Sequence, residues 1–166
     1  MTRTLLVGGS GTLGHEIATC LENSDEDYTL LSRSEDVNGH DFIQHDLADI
    51  EGIAKIDLKP FSRVIYLAQS RNYRNYPSAS NEILDINCNA AIKFAEKASA
   101  LSLPFLYAST GSVYAKKNGK LFENDPYLSD GELTMYSASK ISAEVFFQQK
   151  RQIIKAIGSC VKRIAL

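Results

Sequence analysis

The sequence predicts an α/β fold built on a doubly wound, mostly parallel sheet of about six strands. Short apolar runs of strand length alternate with longer amphipathic stretches. The apolar runs lack polar alternation, so both faces of the sheet are expected to be covered. Repeated strand–helix–strand units also favour right-handed crossovers and parallel pairing. The predicted strands are Thr4–Val7, Tyr28–Leu31, Asp41–Gln44, Arg63–Ala68, Pro104–Ala108 and Val161–Leu166.

The intervening helices are indicated by apolar residues that recur every four positions. Leu13, Ile17 and Leu21 form one such stripe on the first helix. A second stripe covers residues 83–100, and a long helix is predicted over residues 135–157. The polar residues 116–133 before that helix are predicted to form a loop. No linker, repeat or low-complexity tract interrupts the pattern, so residues 1–166 are predicted to form one domain.

Composition argues against several classes of function. The 166 residues carry a formal net charge of -2, with 44% hydrophobic and 23% charged residues. These values are ordinary for a globular protein and give no electrostatic reason to expect nucleic acid or a membrane as partner. No apolar run approaches the roughly 20 residues that span a bilayer. The cysteines are few, odd in number and far apart, which favours a reducing cytoplasm. The histidines lack metal-ligand spacing, so no metal site is predicted.

A glycine-rich turn between the first strand and the first helix predicts a dinucleotide site. Gly8, Gly11 and Gly14 follow the pattern G-x-x-G-x-x-G, and the same turn also satisfies G-x-G-x-x-G. Its position between a strand and a helix is the context that the motif requires. Glycines let the backbone approach a pyrophosphate, and free N–H groups at the start of the helix, at Thr12 and Leu13, attract the anion. The alternative is a plain glycine loop.

The end of the second strand indicates which cofactor is preferred. NAD-selective enzymes usually carry an acidic residue here, whereas this strand ends Ser32-Arg33-Ser34. An arginine can bind a 2′-phosphate, with either serine as a further donor, so NADP is predicted to be preferred over NAD. The alternative is that Arg33 is a solvated charge and that nearby Glu35 or Asp36 serves NAD. Asp46 and Leu47, just past the third strand, either flank the adenine or lie in an ordinary loop.

Tyr136 and Lys140 are the candidate proton-transfer pair, because residues four apart on a helix share a face. An isolated tyrosine has a pKa of about 10, and a nearby ammonium and an oxidised nicotinamide would lower it. The tyrosine could then take a proton from an alcohol. Such a pair is common by chance, but the segment Ser109–Tyr114, S-T-G-S-V-Y, supports it. Hydroxyls at the end of a central strand lie where ligands bind and can polarise a substrate oxygen; a serine-rich strand cap is the alternative.

Together these residues resemble the extended short-chain dehydrogenase/reductase family, which contains NAD(P)-dependent sugar-nucleotide epimerases, dehydratases and reductases. The resemblance covers essentially the whole chain and implies that residues 1–166 form a Rossmann-type, NAD(P)-binding domain. It implies that Thr110 orients the substrate oxygen, that Tyr136 is the acid/base, and that Lys140 tunes it and holds the nicotinamide ribose. The implied cofactor residues are Gly8, Gly11, Thr12, Leu13, Gly14, Ser32, Arg33, Asp46, Leu47, Leu67, Ala68, Asn87, Tyr136 and Lys140.

The resemblance also implies the reaction. An oxidoreductase or epimerase acting on a sugar nucleotide, by hydride transfer at a hydroxyl or ketone carbon, is expected. The family's 4,6-dehydratases carry Asp-Glu after the catalytic threonine, whereas this chain has Gly111 and Ser112. Dehydration is therefore disfavoured. The carboxyl-terminal substrate-binding part of the family is missing, so the 166-residue chain itself is expected to be poorly active. The alternative is a non-catalytic dinucleotide-binding module or a truncated relic of such an enzyme.

The family pairs its subunits through two helices, which here carry Asn87 and Tyr136. Phe94, Phe146 and Phe147 lie on these helices, and some of their apolar surface is expected to face away from the sheet. A twofold homodimer through these helices is therefore predicted. The expected location is the cytoplasm, with a sugar nucleotide as substrate.

Overall fold

The computed structural model of the protein describes residues 2–34, 41–115, 122, 125–128, 133–154 and 161–165, with side chains as far as residue 149. The strands are β1 (Arg3–Val7), β2 (Asp27–Ser32), β3 (Phe42–Gln44), β4 (Arg63–Tyr66), β5 (Phe105–Ser109) and β6 (Val161–Ala165). The helices are α1 (Thr12–Glu22), α2 (Ser80–Leu84), α3 (Ala90–Ala100) and α4 (Met135–Ile154). A π-helical turn, Asp85–Asn89, joins α2 to α3.

The six strands form one sheet in the order β3-β2-β1-β4-β5-β6. Every neighbouring pair is parallel. The chain starts in the middle of the sheet, builds outward through β2 and β3, and then returns to build the other side. The predicted doubly wound sheet is therefore confirmed. The reversal between β1 and β4 opens a crevice at the carboxyl ends of the strands, which is where ligands bind in such sheets.

Both faces of the sheet are covered, as the apolar strands predict. Leu5 and Val7 of β1 belong to the larger core, which includes side chains of α3 and α4. Leu6, between them, belongs to a second core with Ala18 and Leu21 of α1. Successive residues of a strand point to opposite faces, so one strand supplies both cores. Among the described residues, no helix is long and apolar enough to cross a membrane.

The phenylalanines expected to supply a dimer surface instead pack inward. Phe94 lies 6.0 Å from the ring of Tyr66, and Phe147 lies 5.2 Å from the ring of Tyr107, between ring centroids. Phe146 is partly buried against the same core. The reason given for the homodimer is therefore wrong for Phe94 and Phe147, because the sheet takes up the apolar stripes of α3 and α4. The homodimer itself stays a prediction.

The predicted boundaries differ from the observed ones mainly where a segment leaves the sheet or a helix changes pitch. β4 ends at Tyr66, two positions before the predicted end, although the backbone N of Leu67 still donates to the carbonyl of Val7 at 2.8 Å. The single helix predicted over residues 83–100 is interrupted by the π-helical turn. Most of the predicted loop, residues 116–133, lies outside the described residues.

Candidate active site

The glycine turn between β1 and α1 is shaped by two close approaches of backbone. Gly8 has a φ of +81°, and a Cβ there would lie 2.6 Å from the Cα of Ala68. At Gly14 a Cβ would lie 2.3 Å from the carbonyl oxygen of Gly9. Gly11 differs, because its Cβ position meets only the oxygen of Gly8, at 3.7 Å. The turn therefore needs glycine at two positions for packing and leaves a concave backbone surface at the third.

Helix α1 begins beside this surface. Gly11 is its N-cap, and no side chain caps the helix. The backbone N of His15 donates to the carbonyl of Gly11 at 2.9 Å. The N–H groups of Thr12 and Leu13 precede that bond at the positive end of the helix dipole, as first-turn amides do. A phosphate group is a ligand that such a helix start favours.

A cleft of about 320 Å³ extends from the turn along the carboxyl ends of β2, β1 and β4. Glycine backbone, polar side chains and apolar side chains share its wall, together with charged side chains that include the carboxylates of Asp46 and Glu82. A dinucleotide fits this donor set: the turn presents N–H groups, Arg33 presents a cation at the rim, and apolar residues offer a surface for a base. Of the predicted cofactor residues, the cleft is lined by Gly8, Gly11, Ser32, Arg33, Asp46, Leu47, Leu67 and Ala68.

The end of β2 is fixed by hydrogen bonds of its own. Ser32 is buried, and its hydroxyl donates to the carbonyl of Ser34 at 2.8 Å. The Ser32 hydroxyl proton is therefore not available to donate to a ligand. Arg33 is exposed and remains the candidate donor to a 2′-phosphate at this turn. The carbonyl of Arg33 accepts from Gln44 Nε2 at 3.3 Å. The acidic residues considered as an NAD-binding alternative, after Ser34, lie outside the described residues.

Gln69 and Arg71 line the cleft but were not predicted from the sequence. Both follow the strand whose predicted carboxyl end already marked the ligand edge of the sheet. Their position just beyond Ala68 is the signal that could have identified them. Arg71 supplies a second cation to the cleft, on the side of β4.

Asn87 does not line the cleft, so its predicted cofactor contact stays a prediction. Its side chain is 0% exposed and lies in the π-helical turn. Its Oδ1 accepts from the backbone N of Ser70 at 2.9 Å, and its Nδ2 donates to the Oγ of Ser139 at 3.1 Å. The amide is therefore engaged inside the protein, where it joins the segment after β4 to helix α4.

Tyr136 lies in the first turn of α4, at the boundary of two cavities. Its hydroxyl donates to Gln69 Oε1 at 3.1 Å, and its ring lies 5.3 Å from that of Tyr73. Gln69 lines both the 320 Å³ cleft and a larger cavity of about 1300 Å³. Tyr136, Gly111 and Ser112 line the larger cavity. The phenolic oxygen thus stands where the two cavities meet.

The pKa of Tyr136 is raised, contrary to the expected lowering. Burial raises this pKa most, a hydrogen bond with Thr110 lowers it, and Tyr73 raises it. Thr110 directly follows β5, and its Oγ1 accepts from the backbone N of Ser112 at 3.2 Å. The structure therefore brings Thr110 and Tyr136 together as predicted, with Tyr136 as the protonated phenol at neutral pH.

Lys140 is buried against β5, with 2% of its surface exposed. Its Nζ donates to the carbonyl of Ala108 at 3.0 Å and lies 4.7 Å from the ring centre of Tyr107. Burial lowers the pKa of Lys140 to about 8, and the charge of Glu144 opposes that change. Lys140 is therefore mostly an ammonium at neutral pH, but its hydrogen bond goes to β5. This arrangement explains why Tyr136 does not show the lowered pKa expected from the pair.

Lys140→Met is expected to abolish a rise in stability between about pH 8 and pH 10.5. The folded-state pKa of Lys140, about 8, lies below its ordinary value of 10.5. The unfolded chain therefore binds more protons in this window, and the free energy of unfolding increases with pH. The full increase from this group is about 3 kcal/mol. Below about pH 8, Lys140 is charged in both the folded and the unfolded protein. The full free-energy cost of burying the ammonium therefore lowers the stability there.

Urea unfolding of both proteins across this pH range measures the effect as a difference. Cys88, Tyr66 and Tyr107 have raised pKa values and act in the opposite direction near and above their ordinary values, but they do so in both proteins. Parallel curves for wild type and variant would show that Lys140 does not titrate as assigned.

The sequence profile of the NAD dependent epimerase/dehydratase family matches residues 4–156 of the chain. This match includes the glycine turn, both cavities and the first turns of α4. No curated protein is significantly similar to the chain in sequence.

Solved structures of sugar-nucleotide enzymes share the fold. The UDP-Glc/GlcNAc 4-epimerase of Campylobacter jejuni is 17% identical, with a TM-score of 0.80 over 98% of this chain and 53% of that one. A UDP-glucose 4-epimerase of Thermotoga maritima with UDP-glucose is 18% identical, with a TM-score of 0.79 over 98% and 54%. The UDP-glucose 4-epimerase of Thermus thermophilus in complex with NAD is 20% identical, with a TM-score of 0.78 over 99% and 54%. The chain spans about half the length of these enzymes.

Proposed function

The chain belongs to the NAD dependent epimerase/dehydratase family, and on this premise we propose that it carries the cofactor-binding and proton-transfer part of an enzyme that acts on sugar nucleotides. The reaction is hydride transfer at a hydroxyl or ketone carbon, as an epimerase or a reductase. The observation that carries the proposal is the position of the Tyr136 hydroxyl, bonded to Gln69 where the two cavities meet. The fold shared with UDP-glucose epimerases supports the substrate class.

The smaller cleft is assigned to the dinucleotide. The backbone at Gly11 and the first amides of α1 would hold its diphosphate. Arg33 would hold a 2′-phosphate, and Asp46 and Leu47 would flank the adenine. When bound, the nicotinamide supplies or accepts the hydride. The other steps fall to side chains of this chain.

Tyr136 transfers the proton at its phenolic oxygen. A tyrosine, whose ordinary pKa is about 10, holds its proton at neutral pH, and the raised pKa of Tyr136 keeps it so; the phenol can donate this proton to a ketone oxygen as that oxygen becomes a hydroxyl. Thr110 would hydrogen-bond the same substrate oxygen and orient it. Lys140 stays the residue predicted to tune Tyr136 and to hold the nicotinamide ribose, with its ammonium bonded to the carbonyl of Ala108 at the end of β5.

Dehydration is disfavoured by the same geometry. The larger cavity, of about 1300 Å³, is assigned to the substrate. Gly111 and Ser112, which follow Thr110, line this cavity. Neither carries a carboxyl group, so these two positions offer no acid and base for the removal of water. Ketone reduction needs only the hydride and the single proton that Tyr136 donates. Epimerisation begins with the reverse step, in which deprotonated Tyr136 would first accept the proton of the sugar hydroxyl and later return it.

The proposal is tested by incubating the full-length protein with nucleotide sugars and either cofactor. Interconversion of epimers, or consumption of the reduced cofactor with a keto sugar, is the expected result. A non-catalytic dinucleotide-binding module is the second candidate, favoured by the coverage of only about half of each solved relative. Dinucleotide binding without turnover by the full-length protein would favour that candidate.

Arg33→Ala is expected to weaken NADP(H) binding by roughly ten- to a hundredfold and to leave NAD(H) binding unchanged. The variant removes one charge-assisted contact of about 1.5–3 kcal/mol that only the 2′-phosphate can make. Titration calorimetry with both cofactors measures this. Arg71→Ala is the matched control, since Arg71 lines the same cleft and is expected to affect both cofactors alike. Tighter binding of NAD(H) by the wild type would reverse the assignment of NADP as the preferred cofactor.

The homodimer through the helices of Asn87 and Tyr136, and the cytoplasmic location, remain part of the proposal. Val145 on α4 is 38% exposed and is one apolar side chain on that helix that the sheet does not cover. Helices that carry such residues can pack across a twofold axis.

A further inference from the structure

Lys140 and Glu144 are the only charged residues in the buried set of the described chain, at 2% and 3% exposure. Burying a charge is unfavourable unless a partner compensates it. The two lie one helical turn apart, with the lysine first, which is the less favourable order for a helical ion pair. Helix stability therefore does not explain the pair. Its position beside the end of β5 points to the active site instead.

The carboxylate of Glu144 accepts hydrogen bonds from two other parts of the fold. Oε1 accepts from the hydroxyl of Ser109, at the end of β5. Oε2 accepts from the hydroxyl of Tyr127 at 2.8 Å. Gln148 Nε2 donates to the oxygen of Tyr127 at 2.7 Å, so the single proton of Tyr127 is directed to Glu144. Both hydroxyl groups thus donate to the same carboxylate.

Each of these partners is adjacent to a residue of the site. Ser109 immediately precedes Thr110, which hydrogen-bonds Tyr136. Tyr127 precedes Leu128, which lines the larger cavity. The backbone of this segment is tied to the stretch after β5: the N of Leu128 donates to the carbonyl of Val113 at 2.9 Å, and the N of Ala115 donates to the carbonyl of Pro126 at 3.0 Å. Glu144 is therefore the point where α4, β5 and the cavity wall meet.

We propose that Glu144 is a positioning residue of the active site. Its buried carboxylate balances the charge of Lys140, and its hydrogen bonds to Ser109 and Tyr127 fix the position of Thr110 relative to the cavity wall at Leu128. This inference deepens the proposed function and rests on it. Glu144 itself does not line either cavity, so it acts through Lys140, Ser109 and Tyr127 and does not touch substrate.

The charge balance has a direct consequence for Lys140. Within the described part of the chain, the groups that act on its ammonium are the carbonyl of Ala108 and the ring of Tyr107 on β5, and Glu144 on its own helix. Burial raises the pKa of Tyr107 well above its ordinary value, so that ring is neutral. Cys88, on the π-helical turn packed against α4, also has a raised pKa and is neutral. Glu144 is thus the negative charge that favours the ammonium, and its removal should lower the pKa of Lys140.

Glu144→Gln in the full-length protein is the test. Nuclear magnetic resonance titration of the ¹⁵Nζ-labelled lysine should show the pKa of Lys140 lowered by about 1. Glu144→Asp keeps the charge, so the pKa of Lys140 in that variant should lie close to the wild-type value. Tyr127→Phe and Ser109→Ala remove one hydroxyl each and leave the carboxylate. In both variants the pKa of Lys140 should stay within about 0.3 of the wild-type value. A pKa of Lys140 that does not move in Glu144→Gln would overturn the proposal, and so would an equal drop in all four variants. Should Glu144→Gln fail to fold, Glu144→Met, which also removes the charge and has a side chain of similar length, takes its place, and an unmoved pKa of Lys140 in that variant would overturn the proposal.

Kinetics then separate positioning from simple stability. Glu144→Gln is expected to lower kcat by about tenfold or more and to move the alkaline limb of the pH profile to lower pH. Tyr127→Phe is expected to raise KM more than it lowers kcat, because Leu128 lines the cavity. Equal changes in all variants that follow only their loss of stability would overturn the positioning role. If no sugar nucleotide reacts with the wild type, the proposed function fails. The pKa of Lys140 in wild type and in Glu144→Gln still tests whether Glu144 stabilises the ammonium.

Discussion

Tyr136→Phe is expected to lower kcat of the full-length protein on its sugar nucleotide by about 10²–10⁴-fold, the range for a lost proton donor. The variant removes one oxygen and keeps the ring that packs against Tyr73. The dissociation constant for the dinucleotide should stay the same, since the smaller cleft does not include Tyr136. Steady-state kinetics and calorimetry on the same preparation separate these two quantities.

Tyr28→Phe is a matched control for this experiment. It also removes a phenolic oxygen, from a side chain on β2 that bonds Glu22 away from both cavities. We expect kcat to change little in that variant. The direction of the Tyr136 pKa adds a second expectation: ketone reduction by the wild type should not weaken through neutral pH, because the phenol stays protonated. A Tyr136→Phe enzyme that keeps more than about a tenth of wild-type kcat would exclude Tyr136 as the proton donor.

Gly8→Ala is expected to destabilise the protein by about 2–4 kcal/mol, a large share of the stability of an ordinary domain. An added methyl group would meet the backbone of Ala68 at 2.6 Å, and Gly8 adopts a φ of +81° that alanine disfavours. The backbone of the segment after β4 cannot give way without disturbing the sheet. Urea unfolding measures the change in the free energy of unfolding.

Gly11→Ala in the same turn provides the contrast. Its Cβ would meet its nearest neighbour only at 3.7 Å, so the expected destabilisation is limited to about 1 kcal/mol, the cost of alanine at a helix N-cap. Its methyl group would instead project into the cleft where the diphosphate is assigned, and dinucleotide affinity should fall by about tenfold or more. Equal stability of the two variants would show that the turn is not constrained at Gly8.

Local patterns predicted the parts of the site that the chain builds from neighbouring residues. The turn at Gly8, the hydroxyl of Thr110 after β5 and the first turn of α4 at Tyr136 each follow from a short motif. The six parallel strands followed from apolar runs alone, because each such run is typical of a strand covered on both faces. The inward packing of Phe94 and Phe147 was not predicted, since helical spacing identifies a stripe and not what covers it.

The parts that were missed depend on contacts across the fold. The amide of Asn87 is engaged by Ser70 and Ser139, which are 17 and 52 residues away in the chain. Glu144 meets Ser109 from 35 residues away, and no motif signals that contact. The raised pKa of Tyr136 comes chiefly from burial, which a sequence does not display.

The buried amide of Asn87 also bears on the thermodynamics of ligand binding. It fastens the segment after β4, which lines the cleft assigned to the dinucleotide, to α4, which carries the proposed proton donor. Two walls joined through a fully buried group have little freedom to move independently before a ligand arrives. Binding then orders few degrees of freedom in this region, and little of the interaction free energy is lost as conformational entropy. The cleft is in this sense preorganised, because folding and not the ligand sets the separation between the segment after β4 and the first turns of α4.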